Sequence, residues 1–257
     1  MSTRKAQRDF DTISAVYDET RQPLDDGTIE RLLDYLRRHA WNSVLEVGVG
    51  TGRIARPLMD GGFRLVGLDA SRGMLSRARA KGVPDLVHGT AYRLPFSDRT
   101  FDTALFVHVL HILDDAGAGL REATRVSRGG VLAVMDRGPE DPGRDAIEEA
   151  SPRELLRKEL AALGYPDLLR PSPRLKEREI LRAFPPKEIH LLSDREVTEP
   201  LSRPLDTIEK RGYRHVLDVP PDLLARAVAA ARARVGSRTT TYRRRESVVW
   251  WANPEPG

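Results

Sequence analysis

Residues 43–53 read Ser-Val-Leu-Glu-Val-Gly-Val-Gly-Thr-Gly-Arg, and this stretch decides the fold. It begins with a short, mostly apolar and β-branched segment, which predicts a buried strand. Gly48, Gly50 and Gly52 let the backbone turn sharply and leave no Cβ in the way of a ligand. After Arg53 the apolar residues recur at helical spacing, so a helix is expected to begin there. A strand, a glycine turn and a helix N-terminus in this order present backbone N–H groups to a polar or anionic ligand group.

The spacing of the glycines and the position of the next carboxylate indicate the class of ligand. A dinucleotide fingerprint, G-x-G-x-x-G, would need a third glycine where Arg53 stands, and a P-loop would need Lys followed by Ser or Thr. Residues 64–69 form a second short apolar segment, which ends in Asp69. An Asp before a helix often serves as its N-cap, but a carboxylate at a strand end also suits a ribose diol. The pattern therefore predicts a nucleoside-like ligand across the carboxyl ends of a parallel sheet.

These residues and two further stretches resemble the class I S-adenosylmethionine-dependent methyltransferases, in particular the small-molecule group that includes the ubiquinone and menaquinone C-methyltransferases. Residues 69–79, Asp-Ala-Ser-Arg-Gly-Met-Leu-Ser-Arg-Ala-Arg, match the family's D-x-S-x-x-M-L-x-x-A-R motif. Residues 89–96, Gly-Thr-Ala-Tyr-Arg-Leu-Pro-Phe, match its G-D-A-x-x-L-P-F motif, except that Thr90 replaces the Asp. The resemblance is good over residues 9–136 and looser beyond them.

The resemblance implies that S-adenosyl-L-methionine is the cofactor and S-adenosyl-L-homocysteine its product. In the family, the strand-1 acid and the glycine turn hold the amino-acid part of the cofactor, and the strand-2 acid holds the ribose. The Thr90 hydroxyl or the Ala91 backbone would take the adenine contact that relatives make through Asp. Tyr17 is expected to reach the cofactor, or alternatively to pack its helix down together with Phe10 and Ile13. The cofactor-binding residues implied are Tyr17, Arg21, Glu46, Gly48, Gly50, Gly52, Asp69, Ala70, Met74, Thr90, Ala91, Val107 and His108.

The chemistry of methyl transfer limits what the protein must supply, because the sulfonium cofactor already carries the activation. A carbon or oxygen nucleophile must lose a proton, and His is the usual base near neutral pH. His108 and His111 follow the predicted fourth strand, and Asp136 ends the fifth strand at the same edge. We predict these three residues as catalytic, and we predict no metal site. The alternatives are that His108 packs beside the cofactor and that His111 caps a helix.

The predicted function is S-adenosylmethionine-dependent methyl transfer to a small molecule through an O, N or C nucleophile. One alternative is an RNA or other nucleic-acid methyltransferase, because Arg243, Arg244 and Arg245 form a basic cluster after Tyr242. Against it, no N/D-P-P-Y/F tetrad follows the fourth strand, and a basic cluster also keeps an edge strand soluble. A second alternative is a cofactor-binding protein that has lost catalysis.

The bulk composition excludes several classes of protein. The chain has 257 residues, 42 Lys and Arg against 38 Asp and Glu, and no Cys, which predicts a soluble globular protein without disulfides or a Cys-based zinc site. No apolar region near Met1 reads as a secretory signal, and no run approaches the roughly 20 residues of a membrane span. These features predict a cytoplasmic protein with a small-molecule substrate and no membrane partner. Nucleic acid is the less favoured target, and a homodimer is left open.

Predicted strands alternate with predicted helices, which indicates an α/β protein with a doubly wound, mostly parallel sheet. The resemblance implies a Rossmann-like, seven-stranded sheet that ends in an antiparallel pair. The predicted strands are 43–47, 64–68, 85–88, 102–107, 131–136, 188–192 and 246–252. The predicted helices include 28–39, 72–81, 116–126, 152–163, 174–183, 204–211 and 221–235.

Residues 1–257 are predicted to form a single methyltransferase domain. It comprises N-terminal helices over the cofactor (1–40), a cofactor-binding core (41–136), an inserted helical cap between strands 5 and 6 (137–186) and the C-terminal part of the sheet (187–257). Prolines divide the insertion into short pieces. We interpret it as a cap over the active site, and the alternative is a charged, solvated helical excursion.

Overall fold

The computed structural model describes residues 3–22, 24–136, 152–166 and 175–253. Its strands are β1 (Ser43–Val47), β2 (Arg64–Asp69), β3 (Leu86–His88), β4 (Thr103–Val107), β5 (Val131–Met135), β6 (Glu188–Pro200) and β7 (Thr239–Trp251). Its helices are α1 (Thr3–Ile13), α2 (Tyr17–Thr20), α3 (Asp26–Arg38), α4 (Ala55–Asp60), α5 (Arg72–Ala80), α6 (Ala116–Val126), α7 (Pro152–Ala162), α8 (Glu177–Ala183), α9 (Arg203–Glu209) and α10 (Pro221–Val235). None of the helices in the described ranges is long and apolar enough to cross a membrane.

The seven strands form one sheet in the order β3-β2-β1-β4-β5-β7-β6. The first five strands pair in parallel, and β7 is antiparallel to both β5 and β6. Because parallel strands place their carboxyl ends at one edge, Val47, Asp69, Val107 and Met135 end four neighbouring strands side by side. The predicted doubly wound, mostly parallel seven-stranded α/β sheet is confirmed.

Alternating side chains bury both faces of the sheet. On one face Val44 and Leu105 lie in an apolar cluster with residues of α3, α4 and α5. On the other face Leu45 and Phe106 lie in a second cluster with residues of α6 and α8. Strands covered on both faces are expected to be continuously apolar, as β4 and β5 are. Each fully buried large apolar side chain contributes about 1.5–3 kcal/mol, so these two clusters hold the edge that carries the site in place.

The two antiparallel strands are longer than the sequence predicts. The sequence predicts strands at 188–192 and 246–252, whereas β6 and β7 have 13 residues each. Their additional parts pair only with each other, from Ser193–Glu246 to Pro200–Thr239. These parts are polar, and cross-strand contacts such as the Arg243–Asp194 ion pair (2.5 Å) replace the apolar alternation on which strand prediction depends.

Helices α7, α9 and α10 form a third apolar cluster, separate from the two that cover the sheet. Leu156 and Leu160 of α7 are fully buried there with Leu205 of α9 and Leu224 of α10. The other described helix of the predicted insertion, α8, belongs to the second sheet cluster instead. Most of the remaining insertion, 137–151 and 167–174, lies outside the described residues. The cap and the division of the chain therefore stay predictions.

Candidate active site

The glycine turn after β1 is built from left-handed backbone conformations that glycine adopts readily. The φ angles of Gly48, Gly50 and Gly52 are 80°, 56° and 77°. The Gly48 N–H donates to the Leu68 carbonyl at 2.7 Å, and a Cβ on Gly48 would lie 2.6 Å from Val109 Cγ2. At Gly50 a Cβ would meet only the Gly48 carbonyl, at 4.0 Å. The turn is therefore fixed against β2 and the loop after β4, with open space at Gly50.

Asp69 ties the glycine turn to the start of α5. Its Oδ2 accepts a hydrogen bond from the Gly50 N–H and its Oδ1 from the Ser71 N–H, both at 2.8 Å. The N-cap of α5 is Ser71, whose hydroxyl accepts from the Met74 N–H at 3.1 Å, so Asp69 is not the cap. Burial raises the pKa of Asp69 despite its backbone N–H donors. Each carboxylate oxygen has a second lone pair, which suits the hydroxyl groups of a ribose.

Glu46, on β1, is a buried carboxyl whose Oε2 has no hydrogen-bond partner among the described residues, and on which Arg53 acts only as a nearby positive charge. The residue is only 2% exposed. Burial and the negative charge of Asp69 raise the pKa of Glu46 well above its usual range. A buried carboxylate without a partner is costly, so Glu46 fits a cationic ligand group such as the ammonium of an amino acid. The donors and acceptors present at Glu46, the glycine turn and Asp69 thus fit S-adenosylmethionine.

Helix α2 contacts the glycine turn through Asp18, which is not among the cofactor-binding residues predicted from the sequence. Its Oδ1 accepts from the Thr51 hydroxyl at 2.5 Å, and its Oδ2 pairs with Lys81. Although burial opposes the change, hydrogen bonds from Lys81 and Thr51 lower the pKa of Asp18. The Arg53 guanidinium carbon lies over the Tyr17 ring, 5.9 Å from the ring centre. The N-terminal segment therefore meets the turn through an acid next to the predicted aromatic residue.

Arg21 contacts two aromatic rings and the loop after α9. Its guanidinium carbon lies 4.8 Å from the Tyr17 ring centre and 4.7 Å from the Tyr213 ring centre. Its Nη2 donates to the Gly212 carbonyl at 2.8 Å. In this arrangement Arg21 joins the N-terminal segment to the loop after α9, and its contact with the cofactor stays a prediction.

The predicted adenine side is formed by the start of α5 and the turn after β3. Met74 and Ala91 are buried there, and Ala70 and Thr90 are half-buried. Asp11, which sequence reasoning also missed, accepts from the Gly73 N–H at 2.8 Å and so holds α1 against this end of α5. An acid on a polar N-terminal helix gives no signal in the sequence for such a long-range contact.

His108 stands directly after β4 in a conformation that is rare for a residue with a side chain. Its φ is 54°, in the left-handed region that costs of order 1–3 kcal/mol for most residues and that recurs at functional sites. Its N–H donates to the Val134 carbonyl at 3.1 Å, which anchors it between β4 and β5. The imidazole Nδ1 lies 3.7 Å from Asp136 Oδ1. The structure therefore brings together two of the three predicted catalytic residues, next to half-buried Val107 at the end of β4.

His111 belongs to a different pair of residues. It lies in a 3-10 turn, Leu110–Ile112, and its Nδ1 is 3.4 Å from Glu177 Oε1 of α8. The side chain therefore faces a carboxylate on another helix. The two histidines thus lie beside different acids. His108 lies beside Asp136, which follows β5, and His111 lies beside Glu177 of α8.

Arg244 and Glu246 of β7 complete the charged group around Asp136, and sequence reasoning missed their place in the site. Arg244 Nη2 lies 3.8 Å from Asp136 Oδ1 and 2.7 Å from Glu246 Oε1. Glu246 is fully buried, and the Arg244 side chain is 12% exposed. Arg244 Nη1 also donates to Gln22 Oε1 in the N-terminal segment. The cluster of His108, Asp136, Arg244 and Glu246 is called the β7 charge cluster below.

The neighbouring arginines point to the opposite face of β7. Arg243 and Arg245 pair with Asp194 of β6 at 2.5 Å and 3.3 Å. The period-2 alternation of a strand separates them from Arg244. If the sequence had shown that these three arginines lie in a strand, this alternation would have separated Arg244 from its two neighbours.

Comparisons with known proteins place this geometry in a family. The "Methyltransferase domain" family model matches residues 45–135. The demethylmenaquinone methyltransferase of Corynebacterium urealyticum is 31% identical over 185 residues, which cover 70% of this chain and 78% of that protein. Its counterpart from Corynebacterium kroppenstedtii is 37% identical over 143 residues, which cover 52% of this chain and 60% of that protein. The chain thus spans less than two thirds of some of the curated relatives that it matches.

The solved structure of the YcgJ protein from Bacillus subtilis agrees in fold, with a TM-score of 0.53 at 20% identity over 88% of this chain and 99% of that one. None of these similarities supports a nucleic-acid target or a loss of catalysis. The chain belongs to the class I S-adenosylmethionine-dependent methyltransferases, and among them it resembles the quinone methyltransferases.

Proposed function

We propose that this protein methylates a small molecule at or beside an ionisable hydroxyl group, with His108 as the proton acceptor. S-adenosylmethionine, when bound, supplies a methyl group already activated by the sulfonium sulfur. Glu46 and the glycine turn would bind its amino-acid part, and Asp69 its ribose. The protein's remaining tasks are to orient the acceptor, exclude water and take up one proton per turnover.

The observation that carries this proposal is the adjacency of two polar groups at one edge of the sheet. Glu46 and Asp69 belong to β1 and β2, and His108 and Asp136 follow β4 and β5. β1 and β4 are hydrogen-bonded neighbours, with Glu46 opposite Leu105. A ligand over the ends of β1 and β2 therefore has the imidazole beside it, on the side where an acceptor would approach.

A hydroxyl-bearing acceptor is favoured by the type of base and by the relatives. An imidazole near a carboxylate is suited to accept a proton from a phenol, enol or hydroquinone near neutral pH. The curated relatives are named demethylmenaquinone methyltransferases, which makes a hydroquinone the first acceptor to test. Each arginine of the basic cluster that suggested nucleic acid lies beside a carboxylate: Arg243 and Arg245 share Asp194, and Arg244 pairs with Glu246. The cytoplasm remains the predicted compartment, and a homodimer remains open.

The test measures S-adenosylhomocysteine formation by the full chain with S-adenosylmethionine and three acceptors: naphthohydroquinone under reducing conditions, tryptamine and bulk tRNA. Turnover with naphthohydroquinone, together with a product heavier by one methyl group, is the expected result. Turnover only with tryptamine would overturn the hydroxyl assignment. Turnover only with tRNA, at a rate that falls steeply with salt, would overturn the small-molecule assignment.

A further inference from the structure

The β7 charge cluster links the candidate base to a strand far away in the sequence. Asp136 Oδ1 lies between His108 Nδ1, at 3.7 Å, and Arg244 Nη2, at 3.8 Å. Both distances exceed those of a hydrogen bond but are within reach of an ion pair, and such contacts often tighten only when substrate binds. The Asp136 carboxylate is half-exposed, so it is the one member that could turn towards solvent.

Arg244, in contrast, is held firmly. The buried Glu246 lies 2.7 Å from its Nη2, and Gln22 accepts from its Nη1. The Thr28 hydroxyl, which donates to Asp25 Oδ2 at 3.0 Å, lies 3.4 Å from the other oxygen of Glu246. The contact with Glu246 is an ion pair without hydrogen-bond geometry, and the bond to Gln22 is a hydrogen bond. A planar guanidinium with one such partner on each of two sides has little freedom to move.

The same contacts argue against a metal ion in the cluster. His108, Asp136 and Glu246 offer ligand atoms within 4.8 Å of one another. The guanidinium of Arg244 already lies beside both carboxylates and supplies the positive charge that a cation would bring. Ligands on one small cation at 2.0–2.1 Å would also lie only about 3 Å apart.

We propose that Arg244 is a positioning residue for the reaction: held by Glu246, it keeps the Asp136 carboxylate beside His108 Nδ1, so that Nδ1 carries the ring proton and Nε2 accepts the proton of the substrate. This inference rests on the proposed function, in which His108 is the base. The proton passes from the substrate hydroxyl to Nε2 and then to solvent, and no other bond changes at the cluster. Without Arg244, Asp136 turns to water and the ring loses its fixed tautomer.

The kinetic test compares Arg244→Gln with Arg243→Gln, a matched change one residue away on the opposite face of β7. With naphthohydroquinone, Arg244→Gln is expected to lower kcat roughly 10–100-fold, by analogy with the loss of groups that orient metal-binding histidines, and to leave the KM for S-adenosylmethionine unchanged. Arg243→Gln is expected to behave like the wild type. Wild-type kcat in Arg244→Gln would overturn the proposal.

A double variant separates positioning from a purely structural role. Arg244→Gln alone leaves Glu246 buried without its cation, which destabilises the protein. Arg244→Gln/Glu246→Gln removes both charges, so its Tm is expected to return towards the wild-type value while kcat stays low. Recovery of kcat together with Tm would show that Arg244 acts only through folding, and would overturn the proposal.

A spectroscopic readout does not depend on turnover. In the full chain labelled with ¹⁵N-histidine, long-range ¹H–¹⁵N spectra report which ring nitrogen of each His carries the proton, and His108→Asn assigns the signal. We expect the Nδ1–H form of His108 in the wild type and in Arg243→Gln, and a mixed form in Arg244→Gln. An unchanged His108 pattern in Arg244→Gln would overturn the positioning role. If the pattern changes but no acceptor is methylated, only the proposed function fails.

Discussion

The two halves of the candidate site are built in different ways. The cofactor half, at the ends of β1 and β2, depends on backbone N–H groups that converge on one carboxylate, with both Asp69 oxygens accepting at 2.8 Å. The proposed substrate half, beyond the ends of β4 and β5 and in the middle of β7, depends on side-chain charges at 3.7–3.8 Å. The first half joins residues close in sequence, and the second joins His108 to Arg244 across most of the chain.

This difference explains how one fold can serve many acceptors. The family model matches residues 45–135 and ends just before Asp136. A turn of backbone N–H groups tolerates many side-chain changes and keeps one cofactor, whereas ionic side chains after β5 and on β7 can change singly. Under the proposed function, the choice of acceptor depends on the second half, and the fold alone does not reveal it.

The largest expected effect tests whether the substrate half carries the chemistry. Asn tolerates the positive φ of His108, so His108→Asn should preserve the backbone while removing the base. We expect kcat with naphthohydroquinone to fall by about 10²–10⁴-fold, with the Kd of S-adenosylmethionine unchanged by calorimetry. His111→Asn is the control, because His111 pairs with Glu177 and not with Asp136. A larger loss in the control would exchange the roles of the two histidines.

The next effect tests the cofactor half. Asp69→Ala removes the acceptor of the Gly50 N–H and the proposed ribose partner, and charge-assisted hydrogen bonds of this kind contribute roughly 1.5–3 kcal/mol. We expect the Kd of S-adenosylmethionine to rise about 10–150-fold by calorimetry. Asp136→Asn, a change in the other half, should leave this Kd unchanged. Equal losses in both variants would show that the two halves are not separable.

A third prediction concerns the protons that Glu46 releases when S-adenosylmethionine binds. Because the pKa of Glu46 is raised in the folded protein, folding favours its protonated form, and this contribution to stability falls as the pH rises above the usual value for Glu. An ammonium group beside Glu46 would favour the carboxylate. Binding of S-adenosylmethionine should therefore release protons, and its affinity should weaken as the pH falls.

Calorimetry in two buffers with different ionisation enthalpies measures this release. The binding enthalpy should differ between Tris and phosphate for the wild type and should agree between them for Glu46→Gln. Equal enthalpies for the wild type would contradict the pairing of Glu46 with a cation.

The smallest expected effect is at Asp102, which precedes β4 at the amino ends of the parallel strands, opposite the candidate site. It serves as a control. Burial acts to raise the pKa of Asp102, but the Arg128 guanidinium and the N–H groups of Ser43 and Asn42 outweigh it and lower this pKa to about 2. This stabilisation is present above about pH 4, the usual pKa of Asp, and is lost as the pH falls towards 2. Asp102→Asn should lower the free energy of unfolding by about 1–2 kcal/mol at pH 7 and flatten its acid dependence in urea titrations. Cofactor affinity should not change; if it does, this edge is coupled to the site.

The sequence predicts several elements of the fold closely because their signals are local. β1, α6 and α10 have the bounds that apolar periodicity predicts, and the glycine turn has the left-handed angles that its composition suggests. Long-range polar contacts escape such reasoning. The extensions of β6 and β7 are stabilised by pairs such as Asp194 with Arg243, and nothing in a run of three arginines tells which one faces the interior.

The strand order has a consequence for how the chain is made. β6 leaves the ribosome before β7, yet β7 lies between β5 and β6 in the finished sheet. Until residues 239–251 emerge, the apolar edge of β5 has no neighbour and β6 has no strand to join, a state that invites association with other nascent chains. Val248 and Val249, both fully buried, then arrive on the same strand as Arg244. Completion of the sheet and assembly of the substrate half thus both wait for β7.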